Sequence, residues 1–498
     1  MKNNNKGRLL ASICATMSLL ASFSMWAKPD SVDEFVQKVM QQKHIPGLQL
    51  AVVKGGKVVK KGNYGYADLQ HKVPVQDATL FPINSMTKAF TGVAIMQLAE
   101  QGHLNVNDEI GKHLPELPER WHTLKITQLM GHTTGLPRIL ASTVNVDTIV
   151  HRDAEASWQE VQKRDFLFTP NSRFSYNQTG YVILGKLIDK YVPEGFPAYI
   201  TKQQLKPTGM VQTADAGFDY LERMVPNQAR QYLYLGNGEY QNFYGEFPYM
   251  LRTAAGMSTT ASELAKYIVA LEQGELVQDI DTLWQPVRLN NGRTEGFSNL
   301  ENGYALGFQV IQRKYHRAVS ASGGNAVTLI TYPDDDVSIV VLTNLIGSLP
   351  IEFVDDIAAF YIPDFNDPSK RLAFEPGAYL LKLTEKQGFD DFASTFAQAQ
   401  ADTGVMIDLE ILVEWGNKLL EQNRVTDAIA VFKFAISQND EQTYYLSSLA
   451  EAYEVLEQFK EAKSYYQRIL DINPHSKSAK ARLSAIEEKL AMKQTATL

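Results

Sequence analysis

Ser85-Met86-Thr87-Lys88 carries the clearest chemistry of the chain, a hydroxyl nucleophile with a possible base three residues on. Phe81-Pro82-Ile83-Asn84 before it is non-helical in character, and Ala89 to Leu98 after it is an apolar run that stops at Gly102. The pattern predicts a helix buried nearly all round, with Ser85 in its first turn. Residues three apart share a helix face, so Lys88 can reach Ser85 Oγ. An amine walled in by apolar groups has a lowered pKa, and its neutral form can take the serine proton. The helix N-terminus offers backbone N–H groups to a developing anion. By itself Ser-x-x-Lys is a weak signal, since a capped helix with a surface lysine reads the same way. This copy is the only one in the sequence, and its apolar setting favours the catalytic reading.

A second element is Arg173-Phe174-Ser175-Tyr176-Asn177-Gln178-Thr179-Gly180-Tyr181, a polar loop feeding an apolar helix. A phenol near an ammonium has a depressed pKa and can act as a base. Taken alone, Tyr176 also reads as a buried structural tyrosine. Other chemistries fare poorly. The nine histidines are scattered without a His-Glu-x-x-His, which argues against a zinc site, and neither a Gly-x-Ser-x-Gly elbow nor a phosphate-binding glycine loop occurs. No metal and no cofactor is expected. Asp334-Asp335-Asp336 reads as a solvated turn.

The elements that must position these residues are legible in outline. Leu48 to Val53 and Lys57 to Lys60 flank Gly55-Gly56, a hairpin signal. Tyr304 to Ile311 reads as a strand, and Ala326 to Tyr332 and Val337 to Leu342 as a second hairpin. From Ser85 to about Tyr267 helical patterns dominate. The expectation is an α+β domain, one antiparallel sheet closed by distant segments with a helical subdomain inserted. Phe353 to Tyr361 reads as a final helix on that sheet. The aromatic tract from Phe218 to Tyr249, with Tyr232, Tyr234, Tyr240, Phe243, Tyr244 and Phe247, suggests a hairpin at Gly236-Asn237-Gly238. It can serve sheet packing or wall an apolar acyl group.

Pro363 to Pro368 marks a boundary, and the chain beyond Leu380 lacks strand character. Gly416, Leu419, Ala428, Phe432 and Ala435 recur 34 residues on as Ala450, Tyr453, Ala462, Tyr466 and Ile469, and Pro474 closes the second unit. That period and those packing positions resemble tetratricopeptide helix pairs, with Ser476 to Ala491 as the cap helix. Gly377 to Thr403 reads as a preceding pair outside the register. At the other end Lys2, Lys6 and Arg8 precede the apolar run Leu9 to Ala21, a cleaved secretory signal ending at Ser24 or Ala27. The expected organisation is a signal peptide over 1–27, a hydrolase domain over 28–365 and an all-α repeat domain over 373–491. The only cysteine, Cys14, falls in the signal, so the mature chain has no thiolate and no disulfide. Loss of three cations takes the net charge from −8 to −11, which argues against nucleic acid as a partner. No later run is long enough to span a bilayer.

Further stretches sharpen the reading of Ser85. Leu129-Met130-Gly131-His132-Thr133-Thr134-Gly135-Leu136-Pro137, Ala255-Gly256-Met257-Ser258-Thr259-Thr260 and Tyr304-Ala305-Leu306-Gly307-Phe308 occur in that order. With Ser85-x-x-Lys88 and the tyrosine loop they resemble the class C β-lactamase-related serine hydrolases, over about residues 30–360. That family includes β-lactamases, penicillin-binding carboxypeptidases, D-aminopeptidases and esterases. The resemblance implies that Ser85 is the acylated nucleophile, Lys88 its proton acceptor and Tyr176 a base and acid. It implies that Ala321-Ser322-Gly323-Gly324 is the active-site strand element, with the N–H groups of Ser85 and Gly324 as oxyanion hole. Gln178, Ser322, Gly323 and Gly324 would bind substrate, and His132 would be structural. Two departures stand out. Gln178 replaces the usual asparagine, and Ala321 replaces a histidine, lysine or arginine that would meet a substrate carboxylate.

The expected function is a periplasmic or secreted serine hydrolase acting on an ester or amide: a peptidoglycan-type peptide, a D-amino-acid peptide, a β-lactam or a small ester. The repeats would dock a protein or peptide partner. The alternative is a catalytically weak penicillin- or ligand-binding sensor whose repeats form a scaffold.

Overall fold

The computed structural model describes residues 31–495, apart from 140–153, 219–223, 237, 245–247, 299–300, 314, 367–375, 404–406, 408, 422–423 and 475. The signal segment expected from the sequence lies outside the described residues, as do Asn237 and Phe247.

An eight-stranded antiparallel sheet is closed by segments far apart in sequence. Strand Gly47–Lys54 pairs with Lys57–Asp68 on one side and Val337–Thr343 on the other. Beyond Val337–Thr343 come Val327–Tyr332, Ala318–Gly323, Gln309–Ile311 and Gly303–Tyr304. The Gly55-Gly56 turn has φ of 60° and 64°, the geometry a two-residue hairpin requires at both centres. Successive residues of a strand face opposite ways, and both faces here are covered. Leu48, Leu50, Val52, Ile339 and Val341 join a cluster with helices Ser31–Gln42 and Val354–Ala358. Ala51, Val53, Val340 and Leu342 join the larger cluster of helices Thr87–Glu100, Gln178–Tyr191 and Ala261–Glu272. The helix Thr87–Glu100 thus packs on one side of the sheet.

Several elements depart from the sequence expectation. Tyr304 to Ile311 is two short strands, broken where Ala305 N–H donates to Phe308 O across Gly307, whose φ is 98°. A Cβ on Gly307 would stand 2.5 Å from Lys88 O, so this turn presses on the nucleophile helix. Phe353 to Tyr361 forms a shorter helix, Val354–Ala358. The aromatic tract forms the hairpin Gln231–Gly236 with Glu239–Phe243. Its Tyr232 belongs to the cluster on the sheet face away from the nucleophile helix, and Tyr234 stacks on His44 with ring centroids 4.1 Å apart. Sheet packing is therefore its use.

The Pro363–Asn366 turn is part of the front domain's core and not a free linker. Phe365 is fully buried, with its ring 5.4 Å from Tyr332 and 5.2 Å from His316, and with Arg313 over it at 5.6 Å. The C-terminal region is all-α. Helices Leu409–Glu421 and Val425–Gln438, then Thr443–Val455 and Phe459–Ile472, share one buried cluster with Lys477–Thr495. The periodic positions are its core. Gly416 must be small, because a Cβ there would lie 2.3 Å from the Phe432 ring. Ala428, Ala450 and Ala462 are fully buried. No helix among the described residues is long and apolar enough to cross a membrane.

Candidate active site

The chain is pinned before Ser85. Phe81 and Pro82 pair with Thr259 and Ser258, and Ile83 N–H donates to Met257 O at 2.9 Å. Asn84 then turns left-handed, φ 48°, a conformation asparagine tolerates better than most residues. A single 3₁₀ turn, Asn84–Met86, leads into the helix Thr87–Glu100. Ser85 is half-buried on this turn, and Lys88 is 1 % exposed.

Lys88 Nζ lies 3.3 Å from Ser85 Oγ and donates to Ala254 O at 2.9 Å. The rings of Tyr176 and Tyr181 stand 4.8 and 5.1 Å from it. Among the described residues no carboxylate pairs with this amine, and burial drives its pKa well below 10.5. The neutral amine is the form that can accept the serine proton.

Tyr176 hydrogen-bonds Ser85 and Gln178 through its hydroxyl. Its pKa is pushed up to about 12 by burial, against the lowering effect of those two hydrogen bonds. This corrects the depressed phenol expected from the sequence. The reason is that burial of the phenol outweighs every group that would stabilise a phenolate. At neutral pH Tyr176 is a protonated phenol, beside an amine whose proton burial loosens.

The tyrosine loop is held by its own backbone. Asn177 caps the helix Gln178–Tyr191, its side chain accepting from Thr179 N–H at 2.7 Å and donating to Leu136 O at 2.6 Å. Asn177 N–H donates to Nδ1 of His132 at 3.2 Å. Burial, then the charge of Lys88, lowers the His132 pKa, which keeps the ring neutral and able to accept. That ring sits 4.4 Å from Tyr176 and 4.7 Å from Tyr304. Tyr304 donates to the Tyr181 hydroxyl, which donates to Met130 O at 3.0 Å. His132 therefore positions the tyrosine from behind.

The strand Ala318–Gly323 ends against the nucleophile turn. A Cβ on Gly323 would stand 2.0 Å from Ile83 O and 2.9 Å from both Ser85 N and Met86 N. Gly324 has φ 59°, and a Cβ there would lie 2.5 Å from Asn84 Nδ2. The structure thus brings Ser85, Lys88, Tyr176, Gln178, Gly323 and Gly324 together. Gln178 has its buried Oε1 without a hydrogen-bond partner among the described residues. Ser322 is spoken for: its N–H donates to Gln309 Oε1 at 3.1 Å and its hydroxyl shares a hydrogen bond with Thr328 at 3.0 Å. Ala321 is 2 % exposed, its methyl in the core cluster with Ile83 and Met86.

Sequence reasoning missed the apolar wall. Phe297 stands 5.0 Å from Tyr176 and 5.3 Å from Phe174. Beside it, burial raises the Glu301 carboxyl to about 7. The Ala254 carbonyl that holds Lys88 carries no signal in the sequence, because any residue supplies one. Among the described residues no group of three or more His, Cys, Asp or Glu could hold a metal ion.

The β-lactamase family model matches residues 32–362. The chain is 34% identical to Protein flp of Staphylococcus aureus strain MRSA252 over 187 residues, 37% of each chain. It is 26% identical to penicillin-binding protein 4* of Bacillus subtilis over 328 residues, 62% of this chain and 70% of that one. The octameric penicillin-binding protein homologue of Pyrococcus abyssi superposes with a TM-score of 0.57 at 22% identity, over 69% of this chain and 80% of that one. The match spans little more than a third of the length of the Staphylococcus aureus relative, and the archaeal likeness is one of fold.

Proposed function

Because the chain belongs to the β-lactamase family, we propose that it is an exported serine hydrolase that cleaves an ester or amide through an acyl-enzyme on Ser85. The observation that carries this is the buried, carboxylate-free Lys88 with Nζ 3.3 Å from Ser85 Oγ, beside a protonated Tyr176. Neutral Lys88 takes the Ser85 proton as Oγ attacks the substrate carbonyl. The oxyanion is received by the N–H groups of Ser85 and Gly324, on the two backbones that Gly323 holds in contact. The tetrahedral adduct collapses, the bond to the leaving group breaks, and the Tyr176 hydroxyl gives that group its proton. The proton now on Lys88 passes to Tyr176 and restores the phenol. Water then attacks the acyl carbon and loses its proton to Lys88, and Ser85 recovers its own.

Ala321 supports a preference within that reading. The strand offers no cation beside the scissile carbonyl, so a penicillin carboxylate there gains no charge-assisted hydrogen bond. Neutral esters do not need one. Export is supported by the basic and apolar segment Lys2 to Ala21, and the helix pairs after Leu409 are read as tetratricopeptide repeats that dock a protein or peptide. Intact mass spectrometry after exposure to a fluorophosphonate and to a penicillin tests the proposal. A fluorophosphonate adduct lost in Ser85→Ala, with a penicillin or ester adduct that clears, is the expected result. A penicillin or ester adduct that forms on Ser85 and never clears would point to the sensor reading that Ala321 favours, and no adduct with any of these reagents would refute both.

A further inference from the structure

Arg138 follows the Gly135-Leu136-Pro137 turn and is half-buried, with Nη2 donating to Ser175 Oγ at 3.0 Å. Ser175 immediately precedes Tyr176. The backbone beneath Arg138 is tied to the tyrosine loop at three points: Asn177 Nδ2 donates to Leu136 O at 2.6 Å, Thr179 Oγ1 to Pro137 O at 2.7 Å, and Ile139 N–H to Thr179 Oγ1 at 3.0 Å. This guanidinium is therefore tied to the loop that carries the catalytic phenol. It has five N–H donors in a planar fork and stays charged. Among the described residues only Ser175 engages it, and no carboxylate does.

The other cations nearby are committed. Lys88 is buried against Ser85 and Ala254, and Arg173 lies over the Phe168 ring at 4.6 Å. The opposite wall, at Ala321, has no cation. An arginine fork with spare donors matches a carboxylate in geometry as well as charge. A role confined to bracing the loop needs one hydrogen bond, which lysine or glutamine could supply.

We propose that Arg138 is the anion-recognition residue of this active site, and that the substrate is an ester or amide with a carboxylate on the Tyr176 side of the scissile carbonyl. The proposal rests on the Ser85 acyl-enzyme and adds its substrate class. Placing the cation here, and alanine on the strand, moves recognition of the carboxylate from one wall of the cleft to the other.

The test uses the full chain and two pairs of aryl esters. One pair is para-nitrophenyl butyrate against the para-nitrophenyl hemiester of succinate, with the carboxylate on the acyl side. The other is phenyl acetate against meta-carboxyphenyl acetate, with the carboxylate on the leaving group. In Arg138→Gln the charged-to-neutral ratio of kcat/KM should fall roughly ten- to hundredfold in one pair. Arg138→Lys should recover part of that ratio. Fluorophosphonate labelling of Ser85, run in parallel, reports whether the nucleophile is live. Equal loss on charged and neutral esters, or no change in either pair, with labelling intact, would overturn the role of Arg138 alone. A wild type that cannot be labelled would overturn the acyl-enzyme and this proposal with it.

Discussion

Gly323→Ala is the sharpest probe of the site, because the clash it creates is with backbone and cannot be relieved by rotating a side chain. The new methyl would begin 2.0 Å from Ile83 O and 2.9 Å from Ser85 N and Met86 N. Reaching even 3.0 Å from Ile83 O requires the strand and the nucleophile turn to part by about 1 Å, a misplacement that can cost about 10²-fold in rate. An oxyanion donor works within roughly 2.7–3.1 Å of the oxygen, so that shift takes Gly324 N–H out of reach of an anion still held by Ser85 N–H. Losing one such donor costs about 10²–10³ in kcat, or about 2.7–4 kcal/mol. Overpacking adds about 1–3 kcal/mol of destabilisation. Steady-state hydrolysis of para-nitrophenyl butyrate reads the first effect, and thermal denaturation followed by circular dichroism reads the second. A folded variant with kcat within a few-fold of wild type would mean that the end of this strand takes no part in holding the oxyanion.

The other predictions concern the nucleophile, its base and the domain boundary. Ser85→Ala should lose fluorophosphonate labelling and ester hydrolysis with an unchanged melting curve; hydrolysis that survives places the nucleophile elsewhere. Lys88→Met should slow acylation by about 10²–10⁴ while raising stability at neutral pH. Between its lowered folded pKa and 10.5, Lys88 binds fewer protons folded than unfolded, so wild-type stability climbs with pH across that window by up to about 1.4 kcal/mol per unit. The Met variant lacks this climb, and its advantage should shrink as pH nears 10.5; a constant difference in denaturation midpoints would mean that Lys88 keeps its proton. Labelling of the wild type should rise with pH to a plateau and hold it to about pH 10, since Tyr176 stays protonated until about 12; an alkaline fall near pH 8 would contradict this. A chain ending at Asn366 should stay folded and active, whereas Phe365→Ala should cost about 3–5 kcal/mol in denaturant titration, and loss of activity on truncation would tie the repeats to the hydrolase.

Sequence legibility tracks how local the interaction is. Lys88 can be placed against Ser85 because both belong to one helical turn, and the small residues at Gly416, Ala428, Ala450 and Ala462 are visible because a period exposes them. The hairpin at Gly55-Gly56 is legible because only a few residue types accept its two positive φ angles. The break at Gly307 is not, since an apolar run gives no sign that its middle must turn aside to clear Lys88 O. Phe365 reads as linker because its proline neighbours speak for themselves, while the pocket of Arg313, His316 and Tyr332 that receives it lies some fifty to thirty residues away.

The protonation of Tyr176 shows the same limit at the level of chemistry. Motif logic reads Lys88 as a neutral amine from its apolar neighbours, yet reads Tyr176 as a depressed phenol by treating the same lysine as an ammonium. The charge on Lys88 depends on what surrounds it, and that is Ala254 O, two tyrosine rings and an apolar helix, contributed by segments scattered over the chain. Burial pushes both groups toward their neutral forms, the lysine by lowering its pKa and the tyrosine by raising its own. The two groups are then matched in opposite senses, an amine ready to accept a proton and a phenol ready to give one, which is the combination that attack by Ser85 and departure of a leaving group require in succession. Restoring an ammonium at Lys88, for instance with a carboxylate nearby, would occupy the amine that Ser85 needs as its proton acceptor.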